Sequence, residues 1–114
     1  FFSFEEIEFC QRASDAGVPV ELAADAVAYH EGAGSLPATS PARLYYATRN
    51  HLLMASSLRP AGRDGVGWRM AYVVALNVAH AVRSEAGSLP MRLMAAGRGV
   101  VDFARGRLGQ GPFA

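Results

Sequence analysis

The order of apolar and polar residues predicts four helices and two short strands. Near the start, apolar side chains recur at helical spacing after a stretch of capping-box form, Ser3-x-x-Glu6, and Gly17 is a typical helix stop. Two short runs rich in Val and Tyr follow, and they predict strands at residues 18–22 and 26–30.

Three further helices are predicted in the rest of the chain. Ser40 followed by Pro41 is a strong helix start, because Ser caps a free amide and Pro suits the first helical position. This helix should run to about Leu58, and two more are predicted at residues 68–84 and 90–108. The uncharged centre of the helix predicted at residues 68–84 is too short to span a bilayer, which takes about 20 apolar residues.

Two short strands do not form a stable sheet without neighbouring strands. The chain also begins with Phe rather than Met. Together these features predict that the chain is the C-terminal piece of a longer protein.

Charge is segregated along the 114 residues, although the formal net charge is only +1. Seven of the ten acidic residues lie within residues 1–31, whereas ten of the eleven arginines follow residue 42, and there is no Lys. An acidic cluster suits a metal site, and a basic, apolar tail suits an anionic surface. The acidic start and the absence of a known motif argue against nucleic-acid binding.

The stretch FSFEEIEFCQRASDAGVPVELAADAVAYHEGAGS resembles the C-terminal catalytic part of family 2 nucleotide-sugar glycosyltransferases, which have the GT-A fold. Members place an acidic pair at a helix start, then an Arg-Ala pair, a Gly that ends the helix, and a His before a Gly- and Ser-rich loop. The positions in register are Glu5, Glu6, Glu8, Phe9, Arg12, Ala13, Gly17, Ala26 and His30. The segments RLYYATRNHLL and DFARGRLGQGP are similar to the rhamnosyltransferase-like members.

The resemblance implies an α/β fold class. Residues 1–38 would be the C-terminal portion of a GT-A, Rossmann-like catalytic domain, and residues 39–114 an α-helical tail. The nucleotide-binding Rossmann-like half, with its Asp-x-Asp motif, would lie upstream, so the isolated chain is expected to be inactive. One departure from the family pattern is Ala24-Asp25, where members usually have a Pro-containing pair.

The resemblance also implies roles for individual residues in an inverting sugar transfer. Glu6 matches the general base, and Glu5 would orient the substrate or a neighbouring group. His30 would be a ligand of Mg²⁺ or Mn²⁺, and Arg49 and Asn50 would contact the acceptor or the catalytic domain. Each role has a simpler alternative. The acidic pair could be only the first turn of a capped helix, and His30 could be a structural residue. Arg49 and Asn50 could form a capping or salt-bridging pair.

Arg12 is a further substrate-binding candidate, although pairing with a nearby acid is the favoured role for it. The expected partners are a nucleotide-sugar donor and a glycan or lipid-linked acceptor, as in polysaccharide or cell-envelope assembly. The expected location is cytoplasmic, at the inner face of the cell membrane. There the last helix would lie on anionic lipid through Arg92, Arg98, Arg105 and Arg107.

The rival interpretation is a non-catalytic, helical interaction module that is peripheral to the membrane. In that case the acidic pair is only the first turn of a helix, where negative charge complements the helix dipole.

Overall fold

The computed structural model describes residues 4–29, 36–37, 40–57 and 64–113. Within these ranges the regular structure consists of four helices. They are α1 (Glu5–Asp15), α2 (Pro41–Ser57), α3 (Asp64–Arg83) and α4 (Leu89–Ala104). Helices α2, α3 and α4 pack against one another as a three-helix bundle, and α1 lies outside it.

The predicted α/β class is wrong for the described part of the chain, which contains no strand. Residues 18–29, where the two strands were predicted, are non-helical and exposed throughout. A strand is stabilised by cross-strand pairs and by burial of one face, and neither is available to this segment. Its Val and Tyr residues therefore satisfy a strand pattern without forming a sheet. The end of the second predicted strand, His30, lies outside the described residues.

Helix α1 begins and ends close to its predicted bounds, but its N-cap differs from the capping box. The N-cap is Phe4, whose φ of 67° is left-handed, and no side chain caps the helix. Ser3, the predicted cap, lies outside the described residues. At the other end Gly17 adopts a φ of 77°, which confirms it as the helix stop.

Helix α2 confirms its predicted start and lies at the centre of the bundle. Ser40 Oγ accepts a hydrogen bond from the Ala42 amide at 3.2 Å, as expected of an N-cap. One core cluster joins all three helices of the bundle and contains Leu44, Tyr45, Ala81, Ala86, Ala95 and Ala96. A second cluster joins α2 to α3 and contains Leu52, Ala55 and Val73.

The predicted bounds of the other two helices shift by a few residues. Helix α3 starts before Trp68, and α4 ends before Leu108, where Gly106 takes a φ of 66° that breaks the helix. Within the described ranges, no helix is both long and apolar enough to cross a bilayer.

The crossing of α2 and α4 is close because Gly99 has no side chain. A Cβ built on Gly99 would lie 2.7 Å from the Tyr45 carbonyl oxygen and 3.2 Å from the Arg49 amide nitrogen. Both atoms belong to the backbone of α2, so neither can move aside without shifting the helix. The two helix backbones are therefore in contact at this residue.

Replacing Gly99 by Ala should lower the unfolding free energy by about 1–3 kcal/mol, because the added methyl group forces the two helices apart. Gly97→Ala is the matched control, since a Cβ on Gly97 meets nothing within 4 Å. Gly97→Ala should stabilise the protein by roughly 0.5–1 kcal/mol, because Ala favours a helix more than Gly does. Chemical denaturation followed by circular dichroism measures both, and equal effects would contradict the close crossing.

Candidate functional site

The two predicted catalytic carboxylates lie in the first turn of α1 and are exposed. Glu6 lines an open groove of about 400 Å³. The other lining residues are Ile7, Cys10, Gln11, Ser14 and Val20. Among the described residues, no hydrogen bond or ion pair involves the side chain of Glu5 or of Glu6. Both carboxylates are thus accessible to a ligand that enters from solvent.

Arg12 lies one helical turn after Glu8 and pairs with it. Its Nε donates to Glu8 Oε1 at 3.0 Å, and its Nη2 donates to Oε2 at 3.2 Å. This bidentate ion pair is largely exposed, so its contribution to stability is small. The pair neutralises the third acid of α1, and Glu5 and Glu6 remain as the accessible charges of the first turn.

Phe4, immediately before the acidic pair, contacts the bundle through His51 of α2. The two rings are stacked with their centroids 4.9 Å apart. With its proton on Nε2, His51 accepts a hydrogen bond at Nδ1 from Asn77 Nδ2 at 3.1 Å, and Asn77 also donates to the Val73 carbonyl. Partial burial lowers the pKa of His51 below its ordinary value of 6.5. The neutral ring is therefore the form that supports the start of α1.

Arg49 and Asn50, the predicted acceptor-binding pair, are brought together inside the bundle rather than at its surface. Arg49 is 3% exposed, and its Nε donates to Asn50 Oδ1 at 3.2 Å. Its Nη1 donates to the Gly109 carbonyl at 2.6 Å and to the Arg107 carbonyl at 3.3 Å. The guanidinium also lies over the rings of Tyr45 and Tyr46. These contacts hold the segment after α4 against α2.

A buried carboxylate, Asp102 of α4, completes this network. Its Oδ2 accepts hydrogen bonds from the Tyr45 hydroxyl at 3.0 Å and from Arg98 Nε at 3.1 Å. Burial alone would raise the pKa of Asp102, but the hydrogen bonds from Tyr45 and Arg98 outweigh it and hold the pKa below 3.8. Burial and the contact with Asp102 raise the pKa of Tyr45 above 10.0. Asp102 is therefore ionised and Tyr45 neutral at physiological pH.

The predicted metal site falls mainly on residues that the structure does not describe. His30 lies outside the described residues, and within the described ranges no three His, Cys, Asp or Glu side chains converge as a metal site. Glu5 and Glu6 alone do not make a ligand set. The described residues thus do not form a site for Mg²⁺ or Mn²⁺.

Sequence reasoning missed the residues on which the bundle depends most. Asp102 is the only acidic residue after Glu85, among several arginines, and an isolated acid in a basic helix is a signal for a buried partner. Tyr45 lies four residues before Arg49, a spacing that places both on one helix face and could have indicated their contact.

The chain was compared with protein-family models, curated proteins and solved structures. No family model, no curated protein and no solved structure matches it. The resemblance to glycosyltransferases therefore rests on the residues named above.

Replacing Arg49 by Met should lower the unfolding free energy by about 1–3 kcal/mol, because buried carbonyls lose their donors. Arg49→Lys should recover only part of this loss, since a single ammonium does not replace the planar guanidinium fork. Arg105→Met is the matched control, because Arg105 is exposed at the end of α4, and it should change stability by less than about 0.5 kcal/mol. Denaturant titration measures all three. Unchanged stability in Arg49→Met would show that Arg49 does not anchor the C-terminal segment.

The contribution of His51 to stability should be lost as the pH falls. Because the folded-state pKa of His51 lies below 6.5, the unfolded chain binds the proton more readily than the folded protein. Stability should therefore decrease as the pH drops from about 7 through the ordinary His pKa until the folded-state pKa is passed. Subtracting the same pH series for His51→Gln isolates this contribution. A difference that is flat between pH 7 and 5 would contradict the assignment.

Proposed function

We propose that this protein takes part in the inverting transfer of a sugar from a nucleotide-sugar donor to a glycan or lipid-linked acceptor, with Glu6 as the general base. The observation that carries the proposal is that the first turn of α1 contains a carboxylate that is accessible and, within the described ranges, unpaired, beside a paired one. Glu8 is neutralised by Arg12, whereas Glu6 lines an open groove and has no partner among the described residues. The register of residues 1–52 with family 2 glycosyltransferases supports the same role.

The chemistry needs one accessible carboxylate. The acceptor hydroxyl forms a bond to the anomeric carbon as the bond from that carbon to the nucleoside diphosphate breaks. The hydroxyl proton passes to Glu6, and the electron pair leaves with the diphosphate. General-base assistance of this kind contributes on the order of 10²- to 10⁴-fold to the rate. Glu5, one residue earlier, is proposed to orient the acceptor rather than to take the proton.

The donor would be held by a nucleotide-binding part of the same enzyme that packs beside α1. Helix α1 has no buried residue, and its apolar side chains Ile7 and Phe9 are more than half exposed. An apolar helix face of this kind is suited to cover a neighbouring domain. The same nucleotide-binding part would have to supply the ligands of any Mg²⁺ or Mn²⁺ ion, since the described residues offer no such group.

Arg49 and Asn50 fit a positioning role in this proposal better than direct acceptor contact. Their polar atoms are buried and bonded within the bundle. Arg12 fits the local pairing with Glu8. We also propose a cytoplasmic location at the inner face of the membrane.

A second candidate function is a non-catalytic, membrane-peripheral helical module. The observation that favours it is the exposed apolar side of α3, which includes Trp68 and Tyr72. In that case the acidic pair of α1 is only a favourable helix start.

In the full-length protein that carries this chain, Glu6→Gln should lower kcat at least about 10²-fold while donor binding changes little, because the amide keeps the shape and loses the base. Glu21→Gln is the matched control, since Glu21 is exposed in the non-helical segment after α1, and it should leave kcat unchanged. The measurement is release of nucleoside diphosphate across a panel of nucleotide sugars. Loss of activity in Glu5→Gln but not in Glu6→Gln would reverse the two roles, and full activity in both would exclude a general base here.

A further inference from the structure

The side of α3 that faces away from the bundle is apolar along most of the helix. Trp68, Tyr72 and Leu76 recur every four residues and are 75%, 56% and 43% exposed, and Val82 near the end is half exposed. These four residues are called the α3 outer face below. The opposite side of the same helix packs in the core through Val73 and Ala81. A helix that is apolar on both sides needs a second apolar contact besides the bundle.

The charge around this face is positive. Between Arg69 and Arg83 the chain contains no acidic residue, and Arg83 is exposed in the last turn of α3. Beyond α3 the exposed charges are mostly further arginines, because Asp102 is buried and Glu85 is the one exposed acid in residues 84–113. The exposed charge at the C-terminal end of the apolar face is therefore positive. At its start, α3 begins with Asp64, and Arg69 is half-buried and donates to the Ala55 carbonyl at 3.1 Å.

We propose that the α3 outer face is the docking surface of this protein for an anionic lipid bilayer, with α3 lying in the plane of the membrane interface. Trp and Tyr suit this position, since each has an apolar ring and a polar group that stays hydrated. Arg83 extends toward lipid phosphates while its methylene groups remain apolar. Basic helices with one lipid-facing apolar side bind anionic membranes by combining these two contributions.

Charge favours a bilayer over a second copy of the chain. Residues 64–113 contain six arginines and three acidic residues. Two copies that pair through this face therefore bring two net-positive segments together. Anionic lipid supplies the missing negative charge.

Helix α4 is less suited to this role because it contains no tryptophan or tyrosine and because its arginines have contacts within the chain. Arg98 and Arg107 both lie against the Asp102 carboxylate, and Arg92 donates to the Val82 carbonyl. Phe103 packs on the core cluster of α2 and α3. The membrane contact that the sequence suggested for the last helix is thus assigned to α3.

This inference refines the peripheral location proposed above and does not depend on sugar transfer. Membrane binding is measured with vesicles and without any nucleotide sugar, so an absence of binding leaves the role of Glu6 unaffected. Loss of catalysis in Glu6→Gln likewise leaves the membrane contact unaffected.

The experiment uses the emission of Trp68, the only tryptophan in the chain. The protein is mixed with vesicles of equal parts phosphatidylglycerol and phosphatidylcholine, and with vesicles of phosphatidylcholine alone. We expect a blue shift and co-sedimentation with the anionic vesicles, weaker binding to the neutral ones, and release at high salt. Brominated lipid should quench Trp68 in the unaltered protein, which tests insertion without any substitution.

The double variant Tyr72→Ser/Leu76→Ser should lower the partition coefficient at least about tenfold, because two lipid-contacting side chains are lost. The matched control is Leu22→Ser/Tyr29→Ser, which removes the same residue types from positions that are 93% and 98% exposed in the segment after α1. The control should bind as the unaltered protein does. Circular dichroism checks that both variants keep their helices.

Three results would overturn the proposal. The first is an absence of binding and of quenching with the anionic vesicles. The second is a blue shift that grows with protein concentration in the absence of lipid, together with a dimer in sedimentation velocity, which would assign the α3 outer face to a second copy. The third is an equal loss of binding in the control variant, which would place the contact outside α3.

Discussion

The three-helix bundle depends on a buried carboxylate, Asp102, whose charge must be compensated where α2 and α4 cross. Tyr45 and Arg98 donate to it, and Arg49 joins the same network from α2. An ionised group without such partners would be costly to bury, so the network restricts how the two helices can be placed. Gly99 supplies the other half of the constraint, because only a residue without a side chain lets the backbones approach this closely at the network.

This constraint separates residues that hold the fold from residues that are available for chemistry. Arg49 and Asn50 are polar residues in an otherwise apolar helix. Arg49 bonds to Asn50 and to the Gly109 carbonyl, and these contacts hold the C-terminal segment. The carboxylates of α1 are outside the network and exposed. Phe4 provides the contact between the two regions, since it precedes Glu5 and stacks on His51 of α2. The proposed base is therefore placed by a ring contact and not by burial of its own helix.

Polarity also differs between helices α1 and α3. Helix α1 presents carboxylates and a few apolar side chains, whereas α3 presents an apolar face that ends near the exposed Arg83. Sugar transfer to a lipid-linked acceptor requires both a base and proximity to a membrane. The two proposals are compatible on these surfaces, and each has its own residues.

The sequence by itself determined where the helices lie, because helix signals are local. Ser40-Pro41, Gly17 and the uncharged run of α3 act through neighbouring backbone groups and appear in the structure close to where they were predicted. The strands at residues 18–29 were wrong because a strand exists only with a partner strand, which no local pattern supplies. Only the tertiary structure decided that Arg49 is buried, that Asp102 compensates the α2–α4 crossing and that the outer side of α3 remains uncovered. Each of these depends on contacts between residues far apart in the chain, and side-chain periodicity does not specify which helix face meets which.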